Sequence, residues 1–434
     1  MSNRTKKIGA MEESKSALVP KLRFPEFLEA EGWKPVTLQK VSLPVTERVG
    51  QRKLTPVSIS AGVGFVPQAE KFGRDISGSQ YQFYTLVRDG DFVFNKGNSL
   101  KFPQGCVYLL QGWGQVAAPN VFICFRLKDG YSNGFFQNCF EQNQHGNQLK
   151  KHITSGARSN GLLNISKETF FGVEIPTPSL PEQQKIAEFL SSLDELIDAQ
   201  GSKVDALKTH RKGLMQQLFP REGETQPRLR FPEFQNSGEW VEKRLEDLAK
   251  RGSGHTPSKS YPEYYNGGIK WVSLADSKRL DCGLISDTAI EISEKGIQKS
   301  SAVLHPEGTV LISRDAGVGK SAVMSIPMAV SQHFIAWTCK SSLLSNWFLY
   351  HLLQNSKSLF ERAATGSTIK TIGLQFFKDL VFCVPMLPEQ QRIADCLTAL
   401  DDLIIAQTQK LEALKSHKKG LMQQLFPAPV EVEA

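Results

Sequence analysis

What this sequence has little of narrows the field first. Its 434 residues include seven cysteines, Cys106, Cys124, Cys139, Cys282, Cys339, Cys383 and Cys396. The number is odd, no two form a Cys-x-x-Cys pair, and no histidine stands at zinc-ligand spacing, so neither a disulfide framework nor a structural zinc site is expected. No run approaches the roughly 18 apolar residues of a membrane span, and the first twenty residues are polar and basic without an apolar stretch. The expectation is a cytoplasmic protein with no membrane partner. The eight histidines form no His-Glu-x-x-His set, and no Gly-x-Ser-x-Gly elbow occurs. Also missing is an Asn-Pro-Pro-aromatic or Asp-Pro-Pro-aromatic tetrapeptide, the mark of an amino-methyltransferase. Catalysis, and any cofactor it needs, are expected to lie outside this chain.

The bulk composition is that of an ordinary globular protein, with 40% hydrophobic and 22% charged residues. The length exceeds one core and suits roughly two to four domains. A net charge of +8 admits a polyanionic partner without requiring one.

What is present is a duplication. The segment from Leu180 to Pro220 (LPEQQKIAEFLSSLDELIDAQGSKVDALKTHRKGLMQQLFP) returns from Leu387 to Pro427, 207 residues later, with about 28 of 41 positions identical. KLRFPEF from Lys21 and RLRFPEF from Arg228 repeat at the same offset, as do Trp33 and Trp240. Between these framework segments lie inserts of about residues 45–178 and 250–385 that hardly match in sequence. Each carries an apolar strand-like run (VFICFRL from Val121, HFIAWTC from His333), then a helix-like stretch, then a glycine-containing loop at Ser155 and Gly156 or at Thr365 and Gly366. The two inserts are expected to share a fold.

The long repeat reads as a helix, opened by Pro181 or Pro388 in its first turn and closed by proline after Phe219 or Phe426. Steps of four and three from Ile186 meet Leu190, Leu193, Ile197, Gln200, Val204, Leu207, Arg211, Leu214 and Leu218; the second copy repeats this from Ile393 to Leu425. That is a heptad seam with matched polar interruptions. About 38 helical residues make a rod of roughly 57 Å. A buried core helix or an oligomerising zipper gives the same stripe, but two near-identical copies in one chain favour pairing within it, antiparallel about the two-fold axis of the duplication. Phe189, Leu196, Cys396 and Leu403 widen the stripe beyond what a two-stranded coil needs and are candidates for binding a protein partner.

Two glycine-rich loops follow apolar strands. SRDAGVGKS, Ser313–Ser321, ends like a nucleotide-binding loop, but Arg314 stands where the first glycine of Gly-x-x-x-x-Gly-Lys-Ser is required. The better reading makes Arg314 and Lys320 cations beside Gly317 and Gly319, with the counterpart at Gly90–Val107 carrying Lys96 and Lys101 beside Gly97 and Gly105. Small residues let the backbone approach a phosphodiester, and lysine or arginine neutralises it or donates to guanine. Other polar loop residues join them as candidate DNA contacts. These are Ser58, Arg74, Arg158 and Asn160 in the first insert, and Thr256, Ser258, Lys259, Tyr261, Lys278, Thr368 and Lys370 in the second. A solvated turn with incidental charges is the plain alternative for any one of them.

The duplicated LPEQQ helix opening, the LMQQLFP helix end, the RFPEF-to-Trp entry and the diverged inserts together resemble the specificity subunits of type I restriction-modification systems. SGHTPS from Ser253, GGIKW ending at Trp271 and Asp276 are similar to one insert type of that family; VSISAGVGFVPQ from Val57 and GDFVFNKG from Gly90 are similar to another. The resemblance implies two target-recognition domains on double-stranded DNA, with two methyltransferase subunits docked on the helices and motor-nuclease restriction subunits joining them. S-adenosylmethionine, ATP and Mg would then belong to the partners and none to this chain. The expected class is α+β in two pseudo-symmetric halves, each a mixed α/β domain followed by a long helix. The boundaries are a polar tail at 1–19, domains at 20–178 and 221–385, helices at 179–220 and 386–427, and a tail at 428–434. A stand-alone enzyme would need a constellation that is missing; a structural coiled-coil scaffold would leave the two diverged inserts without a purpose.

Two experiments test this reading. Because the inserts differ, replacing residues 45–178 should change one half of an asymmetric, bipartite methylation motif and leave the other; a change in both halves rejects independent inserts. If the helices act as a ruler, one heptad added within Gln200–Leu207 and within Gln407–Leu414 keeps the seam in register and adds about 10 Å. At 3.4 Å per base pair that is roughly three more spacer pairs, with some loss of affinity from the changed groove phase. Methylome mapping that finds an active enzyme with its original spacer shows the helices do not set the distance.

Overall fold

The computed structural model describes residues 18–97, 102–153, 163–315, 317–366 and 370–427. Most of the expected polar tails lie outside these residues, but Leu18 exchanges backbone hydrogen bonds with Trp33 at 2.7 and 3.3 Å and so belongs to the fold. The chain forms two compact units: residues 1–199 with 411–434, and residues 200–410.

In unit 1, β1 (Lys34–Thr37) pairs antiparallel with β10 (Glu174–Thr177). An antiparallel sheet runs β2-β9-β6-β7, from Ser42–Pro44, Ile123–Leu127, Asp91–Asn95 and Cys106–Leu109. A second sheet, β4-β3-β8-β5, comes from Gly64–Pro67, Thr55–Ser60, Gln115–Ala118 and Thr85–Arg88, with β3 and β8 parallel. Unit 2 repeats the plan with one strand added. Here β11 (Val241–Arg244) pairs with β21 (Val381–Val384). The main sheet is β12-β20-β17-β18, from Ala249–Ser253, Phe334–Cys339, Val310–Ser313 and Ser321–Met324, extended by β14 (Leu284–Ile285). The second is β15-β13-β19-β16, from Glu291–Ile292, Tyr265–Val272, Met328–Val330 and Leu304–His305, with β13 and β19 parallel. The expected common fold of the inserts is therefore present.

Continuous apolar runs make the central strands because both faces of the main sheet are covered. Alternate side chains point to opposite faces, so Phe92, Phe94 and Phe125 enter the helix-side core while Val93 and Cys124 enter the core between the sheets. In unit 2, Val310, Ile312, Ile335 and Trp337 take the helix side and Leu311, Phe334 and Ala336 the other. Unrelated residues thus satisfy one two-sided pattern. The covering helices, Asn133–Glu141 and Asn346–Asn355, each start at a serine whose side chain accepts a backbone N–H of the first turn, Ser132 from Phe135 and Ser345 from Phe348.

The long helices span Leu180–Leu218 and Leu387–Leu425. The helix-side core of unit 1 takes Ile186 and Leu190 from the start of the first and Leu425 from the end of the second. That of unit 2 takes Met215 and Leu218 from the end of the first and Ile393 and Leu397 from the start of the second. Each helix is tied to its domain by a buried carboxylate. Arg23 donates through Nε and Nη2 to Glu182, both at 2.7 Å, and the Trp33 indole donates to the same carboxylate at 3.1 Å. At the duplicated positions Arg230 donates to Glu389 at 2.8 and 2.5 Å, and Trp240 at 3.3 Å. The next residue ties down the covering helix. Gln183 accepts the Ser132 N–H at 3.0 Å and donates to the Pro178 carbonyl at 2.9 Å; Gln390 does the same with Ser345 and Pro385.

Glu182 and Glu389 are each 1% exposed, and the Arg23 and Arg230 side chains are 5% and 13% exposed, so removing either carboxylate leaves a largely covered guanidinium without its counter-charge. Glu182→Ala is expected to destabilise unit 1, and Glu389→Ala unit 2, by about 3–5 kcal/mol. Urea unfolding measures it, and a loss under about 1 kcal/mol would show that these pairs behave as surface ones.

Candidate nucleic-acid interface

Ser313 ends β17 and Ser321 opens β18, so the segment between them joins two neighbouring antiparallel strands. A phosphate cradle needs a helix after the loop so that its N-terminal amides face the anion; Ser321 instead opens a strand, which removes the nucleotide-loop reading on geometry as well as on sequence. Gly317 and Gly319 adopt φ of +111° and +82°, a region that favours glycine. Lys320 Nζ donates to the Ser277 carbonyl at 3.1 Å and pairs with Asp281 at 2.9 Å. Arg314 lies beside His333 across the sheet, its N–H on the His333 carbonyl at 3.0 Å, and its Nε donates to the Ile372 carbonyl at 3.1 Å. Asp315 holds His333 Nδ1 at 2.8 Å and bridges to Thr371, next to the exposed Lys370.

The segment containing Thr256 reaches the same place. Gly254 lies so close to the Val330 carbonyl that a Cβ there would stand 1.8 Å from its oxygen, and the His255 N–H donates to that carbonyl at 3.1 Å. Thr256 then donates to Gln332 Oε1 at 2.6 Å. Downstream, Ser258 Oγ accepts the Ser260 N–H at 3.4 Å, Lys259 is exposed, and the half-exposed Tyr261 packs its ring 5.0 Å from Tyr264. Lys278 is exposed beside Ser277. Thr256, Lys278, Arg314, Gly317, Gly319, Lys320 and Lys370 are therefore linked through neighbouring contacts around one hairpin, with Ser258, Lys259 and Tyr261 continuing from it. Thr368 lies outside the described residues.

Unit 1 builds its counterpart at the loop end of the β6–β7 hairpin. Lys71 Nζ donates to Ser58 Oγ and to the Ile59 carbonyl, both at 3.1 Å, and partial burial lowers the pKa of Lys71. Asn95 Nδ2 donates to the same Ile59 carbonyl at 3.1 Å, and its Oδ1 accepts the Gly97 N–H at 2.8 Å. Lys96 Nζ reaches the Ile165 carbonyl at 3.4 Å. At Gly105, φ is +83° and a Cβ would lie 2.6 Å from the Asn95 carbonyl oxygen, so only glycine closes this hairpin. Ser58, Lys96 and Gly97 thus come together. Arg74 is exposed just past the Gln68–Phe72 helix that supplies Lys71. Lys101, Arg158 and Asn160 lie outside the described residues.

Sequence reasoning overlooked Lys71, Gln332 and the Asp315–His333 pair, which contact or adjoin the candidates it named. Their signal is three-dimensional: Lys71 stands 13 residues from Ser58, and Gln332 stands 76 from Thr256. On the long helices, Phe189 packs edge-on against the chain's own Phe24, centroids 5.5 Å apart. Cys396 is half-buried, whereas Leu196 and Leu403 are 48% and 42% exposed. No helix among the described residues is long and apolar enough to cross a membrane.

Comparison with known proteins agrees with this architecture. The sequence pattern of the "Type I restriction modification DNA specificity domain" matches residues 81–209 and 237–416. Over 190 residues the chain is 28% identical to the type I restriction enzyme MjaIX specificity subunit of Methanocaldococcus jannaschii, covering 43% of this chain and 44% of that one. Over 252 residues it is 27% identical to the EcoR124I/EcoR124II specificity subunit of Escherichia coli, covering 55% and 58%. The aligned part thus spans about half the length of these relatives. The crystal structure of the type I restriction-modification system S subunit from M. genitalium superposes with a TM-score of 0.57 at 15% identity, covering 94% of this chain and 99% of that one. A chain from a study of assembly and conformational transition of the type I restriction-modification system gives 0.54 at 19%, covering 92% and 98%. With one family pattern matched in both halves and over most of its length, the chain belongs to the type I restriction-modification DNA specificity family.

Proposed function

We propose that this chain recognises DNA for a type I restriction-modification complex, each unit binding one half of an asymmetric, bipartite site. The observation that carries the reading is one strand plan built twice from unrelated sequences, with lysine and glycine placed at the same hairpin each time and an arginine, Arg314, added in unit 2. Different side chains on one scaffold suit two half-sites of different sequence, since the scaffold fixes position while base edges are read by the side chains themselves.

The long helices pair as an antiparallel coiled coil in this proposal. Support comes from contacts joining low numbers on one helix to high numbers on the other. Lys418 bonds Asp194 at 2.6 and 2.7 Å, Gln200 Nε2 donates to the Gln407 carbonyl at 2.9 Å, and Arg211 bonds Asp401. Every polar interruption of the two seams is used: Gln200 meets its match Gln407, and Arg211 and Lys418 each meet an aspartate of the other helix. The exposed Leu196 and Leu403 are then left to a protein partner, and two methyltransferase subunits fit their duplicated placement; Phe189, covered by Phe24, contributes less. Methyl transfer with S-adenosylmethionine, and cleavage with ATP and Mg, belong to methyltransferase and restriction subunits in this scheme.

The purified chain should turn over no S-adenosylmethionine and should gain tight, specific DNA binding only with its methyltransferase partner; methylation by the chain alone sinks the reading. Lys96, Arg314 and Lys320 are expected to touch DNA. For a phosphate contact, alanine weakens binding across all sequences and lowers the salt slope by about one unit. For a base contact, the loss is about 1–3 kcal/mol at a single motif position. Unchanged affinity in all three variants at matched salt, with the partner present, rejects the assignment.

A further inference from the structure

Two exposed amides occupy the same place in the two units. The connection from β8 to β9 carries Asn120, and its counterpart from β19 to β20 carries Gln332; both side chains are exposed. In each unit this turn leaves the strand that pairs in parallel with β3 or β13 and enters the centre of the main sheet. An exposed amide gains nothing from burial, and holding it still costs rotamer entropy. Both are nevertheless held, and by the same atom. Thr256 donates its hydroxyl to Gln332 Oε1 at 2.6 Å, and the Arg48 guanidinium donates to Asn120 Oδ1. Because a guanidinium has donors only, the atom facing Arg48 is the amide oxygen, which fixes the direction of the NH2 group.

The holders are themselves counterparts. Arg48 lies on the segment after β2 and Thr256 on the segment after β12, each strand being an edge of its main sheet. Arg48 is anchored by a second bond, Nη1 to the Phe83 carbonyl at 2.7 Å. Thr256 is anchored by the neighbouring His255 N–H on Val330. A guanidinium in one unit and a hydroxyl in the other therefore do the same work on sequences that do not align. With one lone pair of the amide oxygen taken by the chain, the NH2 group and the second lone pair are left to a ligand. A donor and an acceptor side by side match the N7 acceptor and N6 donor that adenine shows in the major groove.

We propose that Asn120 and Gln332 are base-reading side chains, each bound to an adenine of its own half-site, and that Arg48 and Thr256 are their positioning residues. This rests on the DNA-recognition reading above. The test is methylation-motif mapping and DNA binding by the full chain with its methyltransferase partner, for wild type, Asn120→Ala, Gln332→Ala, Thr256→Val and Thr256→Ser. Gln332→Ala should relax one adenine position in one half-site, discrimination there falling roughly 5- to 150-fold, with the salt slope of binding unchanged. Asn120→Ala should do the same in the other half-site only. Thr256→Val should relax the Gln332 position in part and Thr256→Ser should restore it, which a role confined to stability would not produce. A wild-type motif that persists unaltered in both alanine variants overturns the proposal. So does an even weakening on all sequences with a shallower salt slope, which would mark a phosphate contact. A wild-type complex that selects no motif overturns the recognition reading itself and this proposal with it.

Discussion

A carboxylate buried at the first turn of each long helix joins the framework to the domain it carries. Glu182 and Glu389 are cut off from water, where an unpaired charge is costly, so each needs the donor set that Arg23 with Trp33, or Arg230 with Trp240, supplies. Those donors come from a segment some 150 residues earlier in the chain. Meeting the carboxylate therefore brings the entry of each domain onto its exit, and the insert between them is closed at its base. The neighbouring Gln183 and Gln390 extend the join by holding the first turn of the covering helix. A short sequence thus fixes the entry, the exit and one packing element of each domain at once.

With the base closed in this way, the rest of the domain is free to vary. The main sheet asks only that its strands be apolar on both faces and of the right length. Phe92–Val93–Phe94 and Val310–Leu311–Ile312 meet that demand with different volumes, and the cores on either side repack to suit. The hairpin tips and the turns between the sheets carry no such demand. It is there that Lys96, Arg314, Lys320, Asn120 and Gln332 stand, outside the packed cores and on the connections where sequence varies most freely.

The amino-acid sequence by itself determined the periodic and local features. Duplication at a fixed offset and a heptad stripe are one-dimensional signals, so both long helices were legible to within a few residues at each end, as were the two halves and the apolar strands in their centres. The exclusion of a nucleotide loop was also legible, because a single residue, Arg314, violates the pattern. Tertiary structure alone decided the roles that depend on distant partners. LPEQQ stands out in the sequence as a signature, but that its glutamate is a buried ion-pair partner and its first glutamine a clasp on Ser132 or Ser345 follows only once Arg23, Trp33 and the covering helix are brought to it. In the same way Phe189 reads as spare apolar surface until Phe24 covers it. Thr256 reads as one polar loop residue among many until Gln332, 76 positions away, receives its hydrogen bond. Periodicity reports which face of an element is apolar; which side chain meets which across the fold is set by closure of long loops, and no local spacing encodes it.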